Sequence, residues 1–127
     1  MNIYGIGTDI VNIDRIRKSL KNKKFIERIF NKKEIQRCKL TLKKSNCYAK
    51  RFAAKEAFSK ALGTGISQGI NFNEIIVLNN KSGKPYIILK GETKKILSKK
   101  IKRKKTKISL SLSDEKKYAV AFVTISI

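Results

Sequence analysis

Three residues in this chain could do chemistry together. Glu56 and Lys60 stand four apart in the run Arg51 to Ile66, Arg-Phe-Ala-Ala-Lys-Glu-Ala-Phe-Ser-Lys-Ala-Leu-Gly-Thr-Gly-Ile, and Asp9 closes an apolar stretch at the N-terminus. A spacing of four puts the carboxylate and the ammonium one above the other on a helix face. On its own that is an ordinary solvated pair, worth ~0.2–0.5 kcal/mol. The chain has no histidine. That excludes Ser-His-Asp and Cys-His nucleophilic systems and any His-ligated zinc or iron centre. A metal here must take oxygen ligands, which points to Mg²⁺ or a similar cation.

The elements that must position these groups are legible. Arg51 to Leu62 reads as the end of a long helix that Ser45 or Asn46 can cap, with Gly63 as its left-handed stop. Ala53, Ala54, Ala57 and Ala61 favour the helix and let another backbone approach. Phe52, Glu56, Ser59 and Lys60 fall on one stripe, and Phe58, Ala61 and Leu62 on a core stripe. Asn2 to Val11 reads as a strand with Ile3, Gly5, Gly7 and Asp9 on one face. The two glycines leave room for a backbone or a ligand. Asp9 could also simply begin a turn, with Asn12 capping a helix that buries Ile13, Ile16 and Leu20.

Further along, Asn31 and Glu34 have the spacing of a capping box before a helix from Lys32 to Leu40. Gly63 to Gly69 follows a helix instead of preceding one, so it is a poor phosphate cradle and a plausible turn lining a cleft. Glu74 to Leu78 and Tyr86 to Lys90 read as a hairpin, and Glu92 to about Lys104 as a helix with Ile96, Leu97 and Ile101 inward. Ile108, Leu110 and Leu112 alternate with serines, and Tyr118 to Ile127 is a second apolar strand. These elements make one α+β domain over residues 1–127, its sheet mainly antiparallel and packed with helices.

Composition narrows the class. The 127 residues suit one domain with a modest core, and 31 Lys+Arg against 9 Asp+Glu give a formal net charge of +22. Such an excess favours acidic partners or phosphate-rich ligands, although abundant Lys, Ile and Asn together also fit compositional drift. No run is apolar enough to span a bilayer and no signal peptide is evident, so a cytoplasmic protein is expected. Cys38 and Cys47 lack CxxC spacing and are expected to be free, partly buried thiols.

Four segments, in order, resemble a known family. They are Ile6-Gly-Thr-Asp-Ile-Val11; Arg51-Phe-Ala-Ala-Lys-Glu-Ala-Phe-Ser-Lys60 with Gly63-Thr-Gly65; Gly83-Lys-Pro-Tyr86; and Ser109-Leu-Ser-Leu-Ser-Asp114 with Tyr118-Ala-Val-Ala121. The family is that of the holo-(acyl-carrier-protein) synthases, small bacterial 4′-phosphopantetheinyl transferases, and the resemblance covers essentially the whole chain. It implies transfer of phosphopantetheine from coenzyme A to a serine of apo acyl carrier protein, releasing adenosine 3′,5′-bisphosphate, in fatty acid biosynthesis. It implies a Mg²⁺ requirement, with Asp9 and Glu56 as the metal carboxylates and Lys60 near the transferred phosphate. Arg51 and Lys55 match basic residues around the nucleotide phosphates, with Gly63 and Gly65 also on the cofactor-binding side. Arg15 lies on the helix that meets the acidic carrier protein. A homotrimer with sites between subunits is typical of the type. Many members carry histidine at the position of Asp114; others carry aspartate, as here.

The chemistry suits these residues, because phosphoryl transfer needs positioning and charge stabilisation more than covalent help. The proton of the attacking serine needs an acceptor, and a metal-bound water, Glu56 and Asp9 are the candidates. A basic nucleic-acid-binding protein is the chief rival reading. The aromatics, however, sit in core-like positions and make no stacking platform, and no nucleic-acid-binding signature is present. That rival also leaves Asp9 and Glu56 without a role, so specific nucleic-acid binding is not expected. An inactive interaction module would share the charge and the fold, and the intact Asp9, Glu56 and Lys60 argue against it.

Overall fold

Two glycines on the first strand set how closely the longest helix can lie. In a computed structural model of the protein, which describes residues 2–65, 68–102 and 105–127, strand β1 (Ile3–Asn12) crosses helix α4 (Lys44–Leu62) at Gly5 and Gly7. A Cβ built on Gly5 would fall on the Ala61 carbonyl oxygen, and one on Gly7 on that of Ala57. The room expected beside these glycines is thus filled by helix backbone. Only a side chain of hydrogen at both positions permits that approach.

Between these two elements come three short helices, α1 (Ile13–Ser19), α2 (Lys23–Ile29) and α3 (Lys32–Lys39). Asn12 caps α1 by accepting from the Arg15 N–H, and Asn31 with Glu34 forms a complete capping box on α3. Helix α2, capped by Asn22, escaped the sequence reading because its seven residues bury none completely. Helix α4 itself starts at Lys44 with no side-chain cap, so neither Ser45 nor Asn46 has the capping role expected of it. Asn46 is instead turned to Asp114, 2.7 Å from its Oδ2. At the other end Gly63 has φ 86°, and its N–H closes the helix on the carbonyls of Ser59 and Lys60.

After a 3₁₀ turn (Phe72–Glu74), strands β2 (Ile75–Asn79) and β3 (Pro85–Leu89) form an antiparallel hairpin. Helix α5 (Gly91–Lys100) follows, ending before the predicted limit; Arg103 and Lys104 in that prediction lie outside the described residues, as do Ile66 and Ser67 of the glycine-rich turn. Glu74 serves as the N-terminal cap of α5, accepting from the backbone of Glu92 and Thr93 and from the Thr93 hydroxyl. Strands β4 (Lys107–Asp114) and β5 (Tyr118–Ser126) complete a second antiparallel sheet of order β1-β5-β4. The α+β architecture and the two hairpins therefore match the sequence expectation.

The main core lies where α4 crosses this sheet. Ala53, Ala57, Phe58 and Leu62 meet Ala121, Val123 and Ile125, with Ile75 and Val77 of the hairpin on the far side. Small residues on the helix and strict alternation on β5 let the two surfaces come together without voids. The opposite face of the sheet is uncovered: Ile6, Ile10, Tyr118 and Phe122 are exposed there. Among the described residues no helix is long and apolar enough to cross a membrane.

Candidate active site

Asp9 is the acid of β1, and α4 carries Lys60 and Glu56 past it. Lys60 Nζ donates to the Thr8 carbonyl at 2.9 Å and lies 3.4 Å from Asp9 Oδ1. The bond to Thr8 fixes the ammonium beside the strand; the rest of the lysine is exposed, so its charge faces solvent and any incoming anion. Glu56 lines the same cavity as Asp9. Burial raises the Asp9 carboxyl above its ordinary range against the opposing pull of Lys60. Glu56 is raised as well, by burial first and then by the negative charge of Asp9, with Lys60 again opposing. A carboxylate pushed upward by the charge of its neighbour favours a cation between the two.

The surroundings divide into two cavities that share Phe52 and Glu56. One, of about 360 Å³, holds Asp9, Glu56 and Phe52 with Arg15 and Ser19 of α1. The other, of about 680 Å³, has an apolar floor of Ile29, Phe52, Ile70 and Phe72 and polar edges from Asn71 and Asn73. Phe52 is held between Phe25, stacked at 6.2 Å, and Phe72, edge-on at 6.0 Å. Glu56 therefore stands at the junction of a cavity that holds Asp9 and Arg15 and one with an apolar floor and a polar edge that includes Arg28.

Other predicted site residues lie elsewhere. Arg51 is only 3% exposed, and its guanidinium donates to the Cys47 carbonyl and to Asn79 Oδ1. It lines a third cavity, with Arg37, Lys43, Lys50 and Asp114, apart from Asp9 and Glu56. Asp114 closes that cavity: although burial pushes its carboxyl up, the bonds from Asn46 and Lys50 hold it below the usual range. Gly63 and Gly65 both take positive φ in the turn that ends α4. Ser59, expected beside Glu56 and Lys60, is buried, and its hydroxyl bonds back to the Lys55 carbonyl.

Lys55 corrects an expectation. Its ammonium does not face a ligand: it is completely buried and donates to Glu34 Oε1 at 2.7 Å and to the carbonyls of Ile29, Phe72 and Ile75. Every donor is used inside the fold, so none is left for a phosphate. Burial lowers its pKa to about 8, against the pull of Glu34. The signal for this was present in the sequence as the capping-box Glu34. Nothing there, however, revealed that its second oxygen bonds the Val77 N–H and its first also meets Lys55.

The cysteines correct another. Cys38 of α3 and Cys47 of α4 are joined as a disulfide, their Cα atoms 5.5 Å apart. They are nine positions apart in sequence, and the tight α3–α4 connection brings the two helices side by side, which the spacing alone did not reveal.

Comparison with known proteins gives the class. The family model of the 4′-phosphopantetheinyl transferase superfamily matches residues 5–123, and the chain belongs to that family. Within it, a holo-[acyl-carrier-protein] synthase of Pelagibacter ubique is 51% identical over 125 residues, 98% of each chain. The solved holo-[acyl-carrier-protein] synthase of Neisseria meningitidis superposes with a TM-score of 0.87 at 39% identity, covering 98% of this chain and 99% of that one. That of Bacillus anthracis, solved in complex with CoA (3′,5′-ADP), gives a TM-score of 0.80 at 38% identity over 99% of this chain and 98% of its own.

Proposed function

We propose that the protein transfers 4′-phosphopantetheine from coenzyme A to a serine of an apo acyl carrier protein, leaving adenosine 3′,5′-bisphosphate. The observation that carries this reading is that Asp9 and Glu56 line one cavity with Lys60 paired to Asp9, in a chain whose relatives are holo-[acyl-carrier-protein] synthases. Fatty acid biosynthesis in the cytoplasm is the setting in which such a carrier protein and coenzyme A meet.

Mg²⁺ fits the residues present. The donor set is oxygen only, and both carboxyls are raised by burial, with Asp9 adding to the rise at Glu56. Among the described residues no cluster of three or more ligand side chains exists, so a cation held by Asp9 and Glu56 keeps places for substrate phosphates. When bound, it would supply charge neutralisation at the pyrophosphate. Lys60 would add a fixed positive charge beside the same phosphates, pre-set by its bond to the Thr8 carbonyl. The apolar floor of the larger cavity suits the pantetheine arm, and Asn71 and Asn73 offer partners for its amides. Arg15, on the rim of the smaller cavity, is positioned to meet an acidic carrier protein.

The nucleotide end calls for a second cluster of cations. Arg51, Lys43, Lys50 and Arg37 form one, and it is distant from Asp9. A homotrimer with sites shared between subunits would satisfy both requirements. The uncovered sheet face, with Ile6, Ile10, Tyr118 and Phe122, supports such an assembly, because an apolar surface of this kind calls for a partner.

The test is mass spectrometry of an apo carrier protein incubated with coenzyme A and this protein. A gain of one phosphopantetheine arm is expected with Mg²⁺ and not with EDTA. Glu56→Gln keeps the side chain's size and removes its charge; it should fold normally and lose the gain. Full turnover in that variant would remove Glu56 from the metal site, and no gain with wild-type protein would remove the proposed reaction.

A further inference from the structure

The Cys38–Cys47 cross-link stands in surroundings that suit a reactive thiol more than an inert staple. Arg51 Nη1 lies 3.2 Å from Cys47 Sγ, one helical turn further along α4. Cys47 is itself in the first turn of α4, where the helix dipole favours negative charge. It also lines the cavity of about 190 Å³ whose other charged groups are Arg37 from α3, Lys43, Lys50 and Arg51 from the α4 segment, and Asp114 from β4. Four cations and one carboxylate thus line the cavity, with Arg51 in contact with the sulfur, and that carboxylate is already bonded to Asn46 and paired with Lys50. The Tyr48 phenol shares the buried cluster of the two cysteines, and the Glu34 carboxylate of α3 is taken up by Lys55. Cys47 is itself buried, at 6% exposure, and reaches solvent through this cavity, whereas Cys38, at 0%, does not line it.

The fold does not depend on this bond to join α3 to α4, because Glu34 and Lys55 already pair the two helices in the interior. We propose that Cys38 and Cys47 are a reversible thiol–disulfide site, with Cys47 as the attacking sulfur and Arg51 as the group that stabilises its thiolate. The oxidant class is a low-molecular-weight disulfide. The Cys47 thiolate attacks one of its sulfurs and expels the first thiolate. Cys38 then loses its proton, attacks Cys47 Sγ and expels the second thiolate. Two protein thiols are oxidised, one small disulfide is reduced, and the two protons leave with the expelled thiols.

The same contact links redox state to ligand binding. A Cys47 thiolate competes with an incoming phosphate for Arg51, whereas the disulfide sulfur that Arg51 contacts here is a weak acceptor and holds the guanidinium less strongly. Arg51 lines the cavity, and among the described residues its buried Nε has no partner. Oxidation should therefore tighten binding of adenosine 3′,5′-bisphosphate. This consequence, unlike the redox site itself, rests on the function proposed above.

Wild-type protein equilibrated in glutathione buffers and trapped with an alkylating reagent reports the couple by mass, with no variant needed. Full conversion in both directions is expected; a chain that never loses the two protons, or a disulfide that excess dithiothreitol leaves intact in the folded protein, overturns the proposal. In Cys38→Ser, the pH midpoint of Cys47 alkylation should rise by about one unit when Arg51→Gln is added; an unchanged midpoint overturns the role of Arg51. Calorimetric titration of adenosine 3′,5′-bisphosphate should show severalfold tighter binding to oxidised than to reduced wild-type protein. Equal affinity overturns the coupling, while the carrier-protein assay separately tests the reaction.

Discussion

Replacing Lys55 with methionine tests whether a residue expected at the active site is instead a cornerstone of the fold. The substitution nearly preserves volume and removes the ammonium. It leaves the carbonyls of Ile29, Phe72 and Ile75 without their shared donor. It also leaves the Glu34 carboxylate, 0% exposed, with two backbone N–H bonds and no cation. Breaking one side of a buried pair costs about 3–5 kcal/mol. At about 2.1 cal/mol/K for each of the 127 residues, a loss of ~4 kcal/mol lowers Tm by about 15 °C. Urea unfolding is the assay: the midpoint should fall at constant slope. Adding Glu34→Gln should restore at least about 1 kcal/mol, because a neutral amide removes the uncompensated charge. A loss below about 1 kcal/mol for Lys55→Met would refute the reasoning. The pH dependence gives an independent check. Burial lowers Lys55 to about 8 from an ordinary 10.5, so the unfolded chain holds more protons between these values. The part of the stability linked to Lys55 ionisation is greatest above 10.5 and declines as pH falls to about 8, where the buried ammonium must be held charged. Wild-type stability should therefore rise relative to that of Lys55→Met across this window.

Three further outcomes are expected. Gly7→Ala places a methyl on the Ala57 carbonyl and should cost about 1–3 kcal/mol or more, read by urea unfolding; Gly83→Ala, where a Cβ meets open space, should cost only the strain of its positive φ, about 1 kcal/mol. Arg15→Glu should raise KM for carrier protein severalfold and leave that for coenzyme A nearly unchanged; an equal effect on both would remove the docking role. Ile6→Asp, on the uncovered sheet face, should dissociate the proposed trimer in sedimentation velocity without loss of helical circular dichroism.

Periodicity and caps made most of the architecture legible in the chain itself. Asn12, Asn31 with Glu34, and Gly63 mark helix ends through local bonds made within a few residues, and the structure keeps all three. The alternation on β4 and β5 named the faces of the sheet for the same reason: strand side chains alternate whatever lies opposite. The Glu56–Lys60 stripe was legible from its four-residue helical spacing, whereas the grouping of Asp9 with that pair came from the family resemblance. What the sequence determined by itself was therefore most of the elements, α2 excepted, and the helical stripe that carries Glu56 and Lys60.

Tertiary structure decided everything that depends on which elements meet. Lys55 and Lys60 have the same chemistry, five residues apart on one helix, yet one is walled in by α3, the 3₁₀ turn and β2 and the other faces solvent beside β1. Arg51 went to a separate cavity because Asn79 on the hairpin holds its guanidinium there. Cys38 and Cys47 meet only because α3 folds back on α4. Burial and long-range pairing are properties of the packed chain, and a lysine's role follows from the number of acceptors that packing brings to it. No local pattern contains that number.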